Sequence, residues 1–161
     1  MIKIELDIDI YRPLPEVFSF MVRPENDFHW QYGTLMSAQI SKGEMGIGAL
    51  FRSVGHFMGR RMESILEVTK FESNKKYGFE SKSGSMQSTT LYTFDVIKYS
   101  TRIHASTQIE LGDEWKFSDT TTAKTVKKQH RENLALLKGI LEASPTENPL
   151  DDFWLVSGRR R

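Results

Sequence analysis

Residues 2–10, IKIELDIDI, place Ile2, Ile4, Leu6, Ile8 and Ile10 at alternate positions, with Lys3, Glu5, Asp7 and Asp9 between them. Successive strand side chains point to opposite faces, so this stretch specifies a sheet with one dry and one wet side. A second pattern indicates what covers the dry side. From roughly 119 to 142, Ala123, Val126, His130, Leu134, Leu137 and Leu141 recur every three or four positions. Lys124, Lys127, Lys128, Arg131, Glu132 and Lys138 lie mainly elsewhere. The period predicts a long amphipathic helix with its apolar stripe toward the sheet. Asp119 or Ser118 offers a capping oxygen at its start, and Ser144-Pro145 ends it.

The intervening chain is read from its punctuation. RPLP stops the first strand, because Pro removes a ladder donor and restricts its neighbour. Pro15 suits the first turn of a short helix carrying Val17, Phe18 and Met21. A second short helix is expected from Pro24 to near Trp30, stopped by Gly33. Segments 35–40, 49–57, 61–71, 76–81, 89–97 and 101–111 read as strands, although Ile65 interrupts the alternation of Met62, Leu66 and Val68. SKGEMGIG, Gly59 with Arg60 and Arg61, and SKSGSMQS with Gly84 supply turns. The short spacings predict antiparallel hairpins. The expected fold is α+β, a strongly curved antiparallel sheet wrapped around the last helix. Large curvature leaves a central gap where side chains fail to meet.

With 161 residues the chain fits one domain with a substantial core, assigned to 1–144, followed by a polar tail or arm at 145–161. Its 22 basic and 21 acidic side chains give a formal charge of +1, so no nucleic-acid partner is expected. Arg159, Arg160 and Arg161 read as a solvated tail. The absence of cysteine excludes disulfides, thiolate metal sites and Cys nucleophiles, and fits a cytoplasmic protein. The alternating N-terminus makes a poor signal peptide, and no apolar run reaches the length of about 18 residues that a membrane span needs. His29, His56, His104 and His130 are widely spaced without an HExxH pattern, so neither metal nor cofactor is expected. There is no GxSxG elbow, and the KGEMGIG glycines match neither a phosphate-binding loop nor a dinucleotide fingerprint.

The opening IDIYRPLPEVFSFMVRPENDFHW, through Ile10, Pro13, Pro15, Val17, Phe18, Pro24, Glu25, Asn26 and Trp30, resembles a known superfamily. It is similar to the start of helix-grip proteins, which include polyketide cyclases and dehydrases, START lipid-transfer domains and birch-pollen-allergen-type proteins. The element order extends the resemblance over roughly 1–142, leaving 145–161 outside it. The resemblance implies a seven-stranded sheet, two short helices after the first strand, and a cavity between sheet and long helix for an apolar or amphipathic ligand. Members of this superfamily differ in chemistry, so fold does not settle function.

The expected cavity wall comprises Phe51, Phe57, Met62, Leu66, Phe79, Tyr92, Phe94, Ile103, Val126, His130, Leu134, Leu137 and Leu141, with a filled core as the alternative for each. Strand parity leaves the direction of Phe51 and Phe57 open. His130 interrupts the apolar stripe, either as a ligand-binding or acid–base imidazole or as a core His satisfied by Tyr92, Thr107 or backbone. Arg52 and His56 share a parity near Arg60, Arg61 and Glu63. If internal they would meet a ligand; the external reading is favoured, because burying an unpaired guanidinium is costly. In VRPENDFHW, Phe28 and Trp30 are expected at a cavity mouth with Asp27 and His29 as its polar edge. Binding of a small hydrophobic or amphipathic molecule leads. A cyclase- or dehydratase-type enzyme is the alternative, with His130 as acid or base and Tyr92 or Arg52 orienting a carbonyl. A third is an interaction or stress-response module using Phe153 and Trp154, with a homodimer left open.

Overall fold

The computed structural model describes residues 1–84, 86–112 and 119–143. Expectations resting on Ser118, on the side chain of Asp119 and on residues 144–161, including Phe153 and Trp154, lie outside the described residues. Strand β1 (Ile2–Ile10) buries Ile2, Ile4 and Ile10 and exposes Lys3, Glu5 and Asp7, as its alternation requires. There follow α1 (Leu14–Met21), a 3-10 turn (Pro24–Asn26), α2 (Asp27–Trp30), β2 (Thr34–Gln39) and β3 (Leu50–Phe57). Then come β4 (Arg60–Glu72), β5 (Lys76–Ser83), β6 (Met86–Ile97), β7 (Ser100–Leu111) and α3 (Asp119–Ala143). Each strand from β2 to β7 pairs antiparallel with the next, and β1 adds beside β7, giving the order β1-β7-β6-β5-β4-β3-β2.

The bending of the sheet has local causes. The β4–β5 register shifts between Ile65 and Leu66 and again between Val68 and Lys70, and the β2–β3 register shifts between Thr34 and Met36. An extra residue on one strand bends it and increases its twist. The interrupted alternation at Ile65 coincides with the first of these shifts. Between β3 and β4 the turn consists of Met58 and Gly59, with φ values of 53° and 81°. Two left-handed residues match the twist of a hairpin, so Arg60 and Arg61 begin β4 rather than form its turn. Strands β5 and β6 also run further into SKSGSMQS than the sequence suggests. The β6–β7 pairing continues to Met86 opposite Leu111, because a ladder needs only backbone partners.

Packing divides along α3. Leu134, Leu137 and Leu141 join the larger core with Ile10, Val17, Phe18, Met21, Trp30, Phe51, Tyr92, Phe94 and Ile103. Phe18 packs edge-on against Phe71 and Phe94, with ring centroids 5.6 and 5.1 Å apart. Earlier on the helix, Val126 joins a smaller core with Ile2, Ile4 and Ile109. The last turns of α3 are tied to the end of β1. Lys138 Nζ donates to the Asp9 carbonyl at 2.6 Å, and Tyr11 N–H donates to the Glu142 carboxylate at 2.9 Å. No helix among the described residues is long and apolar enough to cross a membrane.

Candidate ligand-binding site

His130 lies one turn after Val126 and one turn before Leu134, hence between the two cores. There the sheet and α3 leave two adjoining chambers of about 210 and 110 Å³, which share Gln31, Thr90, Thr107, His130 and Asn133. The smaller is lined by Ile4, Leu6, Trp30, Phe79, Tyr92, Ala105 and Leu134 besides the shared residues. The larger is more polar. Ser53 stands opposite Ser64 across β3 and β4, and Thr90 stands opposite Thr107 across β6 and β7. These four residues and Ser88 line it. The Thr90 and Thr107 hydroxyl oxygens are 3.3 Å apart. An aromatic end and a hydroxyl-bearing end thus meet at His130.

The state of His130 follows from its partner. Its Nδ1 is 2.9 Å from the Val126 carbonyl oxygen, which can only accept. Nδ1 therefore carries the proton, and in the neutral ring Nε2 holds the lone pair. Burial lowers the pKa below the ordinary His value, with the Val126 hydrogen bond opposing in part. The imidazole is therefore mainly neutral at pH 7. Tyr92 is held protonated by burial first, and then by the charge of Asp27.

Residues 31–34 form one wall of the larger chamber and are fastened to α3. Tyr32 N–H donates to Asn133 Oδ1 at 2.9 Å, and Gln129 Nε2 donates to the Tyr32 carbonyl at 2.7 Å. Gly33, with φ of 90°, approaches β3 so closely that a Cβ would lie 2.8 Å from the His56 carbonyl oxygen. His56 N–H donates to the Gly33 carbonyl at 2.8 Å. Gly33 thus ends the turn after α2 and sets the wall against the sheet.

The segment VRPENDFHW differs from expectation in one respect. Asp27 and Trp30, three apart, form the buried side of α2, whereas Phe28 is 57% exposed and His29 is exposed. Phe28 therefore belongs to the outer edge and Asp27 to the interior. Burial raises the Asp27 pKa well above the usual carboxylate value, opposed by a hydrogen bond from Ser37 and reinforced by Glu25. Ser37 Oγ lies 3.1 Å from Ser53 Oγ, whose hydroxyl can donate to it while Ser37 donates to Asp27, so these contacts link Asp27 to the larger chamber. Trp30 is 3% exposed, and its indole N–H has no hydrogen-bond partner among the described residues.

Among the sequence-predicted wall residues, Trp30, Phe57, Met62, Leu66, Phe79, Tyr92, His130 and Leu134 line a chamber. Phe51, Phe94, Ile103, Leu137 and Leu141 pack in the larger core and Val126 in the smaller one, without lining either chamber themselves. For Arg52 the outer position is the one occupied: Nε donates to Glu63 at 3.2 Å, and its side chain is 41% exposed. His56 borders the larger chamber, yet it is exposed and has the opposite strand parity to Ser53, Gly55 and Phe57. Residues not foreseen on the wall are mainly polar: Gln31, Ser53, Ser64, Ser88, Thr90, Gln129 and Asn133. Among the described residues, no group of three or more His, Cys, Asp or Glu is arranged to hold a metal ion.

The sheet, the two short helices after β1 and the long helix over a chambered interior define the helix-grip fold. A START superfamily protein from Mycobacterium smegmatis matches with a TM-score of 0.69 at 14% identity, over 88% of this chain and 95% of that one. A protein from Thermus thermophilus gives 0.69 at 17% identity, over 88% and 99% of the two chains. The di-domain ARO/CYC protein BexL from the BE-7585A biosynthetic pathway also gives 0.69, at 14% identity, over 88% of this chain and 47% of that one. Identities this low carry the fold alone. No protein-family model matches the chain, and no curated protein matches it in sequence.

Proposed function

We propose that this protein binds a small amphipathic molecule between the sheet and α3, in a cytoplasmic setting consistent with its cysteine-free chain. The observation that carries this reading is the break between the two cores at His130, where an aromatic chamber adjoins a hydroxyl-lined one. A mostly apolar concavity with a few convergent polar groups is the usual form of a small-molecule site. Protein purified without detergent and measured by native mass spectrometry should carry a bound small molecule, or take up an apolar fluorescent probe saturably at one site. An interior that binds neither would overturn the reading.

A cyclase- or dehydratase-type reaction on a carbonyl-bearing substrate is the second reading. It is favoured by the neutral His130, whose Nε2 holds a lone pair able to accept a proton. Tyr92 stands on the same chamber wall, whereas the Arg52 guanidinium is engaged by Glu63 outside it. Turnover lost in His130→Ala with the fold retained would support this role, and unchanged turnover would reject it.

A further inference from the structure

We propose that His130 Nε2 is the acceptor that reads a hydroxyl group on the ligand, and that the site prefers an uncharged molecule to a carboxylate of similar shape. This rests on the cavity-binding reading above and narrows its ligand class. The first support is the proton on Nδ1, fixed by the Val126 carbonyl at 2.9 Å. Only a donor can satisfy the remaining nitrogen of a neutral ring.

The second support is the composition of the wall. Among the described residues, no Lys, Arg, Asp or Glu lines either chamber. A carboxylate entering beside His130 would lose hydration with no Lys or Arg to pair with, His56 being exposed on the border of the larger chamber, and it would direct acceptor oxygens at another lone pair.

The third support is the engagement of the neighbouring polar groups. Thr90 and Thr107 hydroxyls meet each other, Asn133 Oδ1 accepts from Tyr32 N–H, and Gln129 Nε2 donates to the Tyr32 carbonyl. His130 borders both chambers and is half-buried, and with Nδ1 turned back to the Val126 carbonyl, Nε2 is the ring nitrogen left for a ligand.

The test uses the full chain and four probes of one shape: naphthalene, naphthol, methoxynaphthalene and naphthoate. Affinities are measured by calorimetry in wild type and in His130→Phe, which keeps a ring and removes the acceptor. The naphthol-to-methoxynaphthalene affinity ratio is expected to fall about tenfold in the variant, as for loss of one buried hydrogen bond. In wild type, naphthoate is expected to bind more weakly than naphthalene, a comparison that does not depend on the variant folding. A ratio unchanged by His130→Phe, or naphthoate binding more tightly than naphthalene, would overturn the proposal while leaving cavity binding intact. Saturable binding by none of the four would overturn the cavity reading and the proposal with it.

Discussion

Asp27 is a carboxyl group on the buried side of a four-residue helix, and that position has a measurable consequence for pH. Its folded pKa is raised well above its ordinary value, chiefly by burial, while the unfolded value stays at about 3.9. The folded protein therefore binds more protons than the unfolded chain between those two values, and stability falls as pH rises through that window. Asp27→Asn should flatten this dependence and raise stability at neutral pH, as read from urea midpoints at a series of pH values. An unchanged slope would show that another group carries it. Leu137 and Trp30 provide a contrasting pair. Leu137 is 0% exposed, and Leu137→Ala should cost about 2–5 kcal/mol in chemical denaturation. Trp30→Phe removes an N–H with no partner among the described residues, so the expected cost is smaller.

At the scale of the element, the hairpin between β3 and β4 contains a local misfit. Met58 adopts a left-handed φ of 53° ahead of Gly59. Asn tolerates this conformation better and forms the favoured Asn-Gly turn, so Met58→Asn should raise stability by roughly 0.5–1 kcal/mol in thermal or urea melts. The same hairpin separates what the residues disclose from what they do not. Alternation in β1 and the stripe of α3 were legible because polar and apolar residues segregate cleanly by face. In β3, Phe51 and Phe57 share one parity while Val54 sits between Arg52 and His56 on the other, so pattern alone did not select the inner face. The hydroxyl wall was harder still. Ser53, Ser64 and Ser88 face a chamber, but a serine facing a cavity has the same local pattern as one facing water. Asp27 and Phe28 were exchanged because a single helical turn is too short for periodicity to fix its buried side.

For the molecule as a whole, the sequence disclosed the partnership of sheet and long helix but not the position of the gap. Val126, His130, Leu134 and Leu137 lie on one stripe, yet His130 and Leu134 border the chambers while Val126 and Leu137 pack in the cores. Periodicity assigns a face; depth depends on how far the curved sheet falls away from the helix. The strand order has a further consequence, for folding kinetics. From β2 to β7 every strand meets the strand next to it in sequence, whereas Ile2 pairs with Ile109 and Ile10 with Thr101. Sequential hairpins close short loops, but docking β1 requires β7 to be in place, and long-range closure is slow. Stopped-flow measurements on Ile4→Val should show faster unfolding with a nearly unchanged refolding rate, whereas a matching drop in refolding would place β1 in the folding nucleus. During synthesis β1 would emerge ahead of the strand it needs, leaving its row of isoleucines uncovered until the last third of the domain arrives.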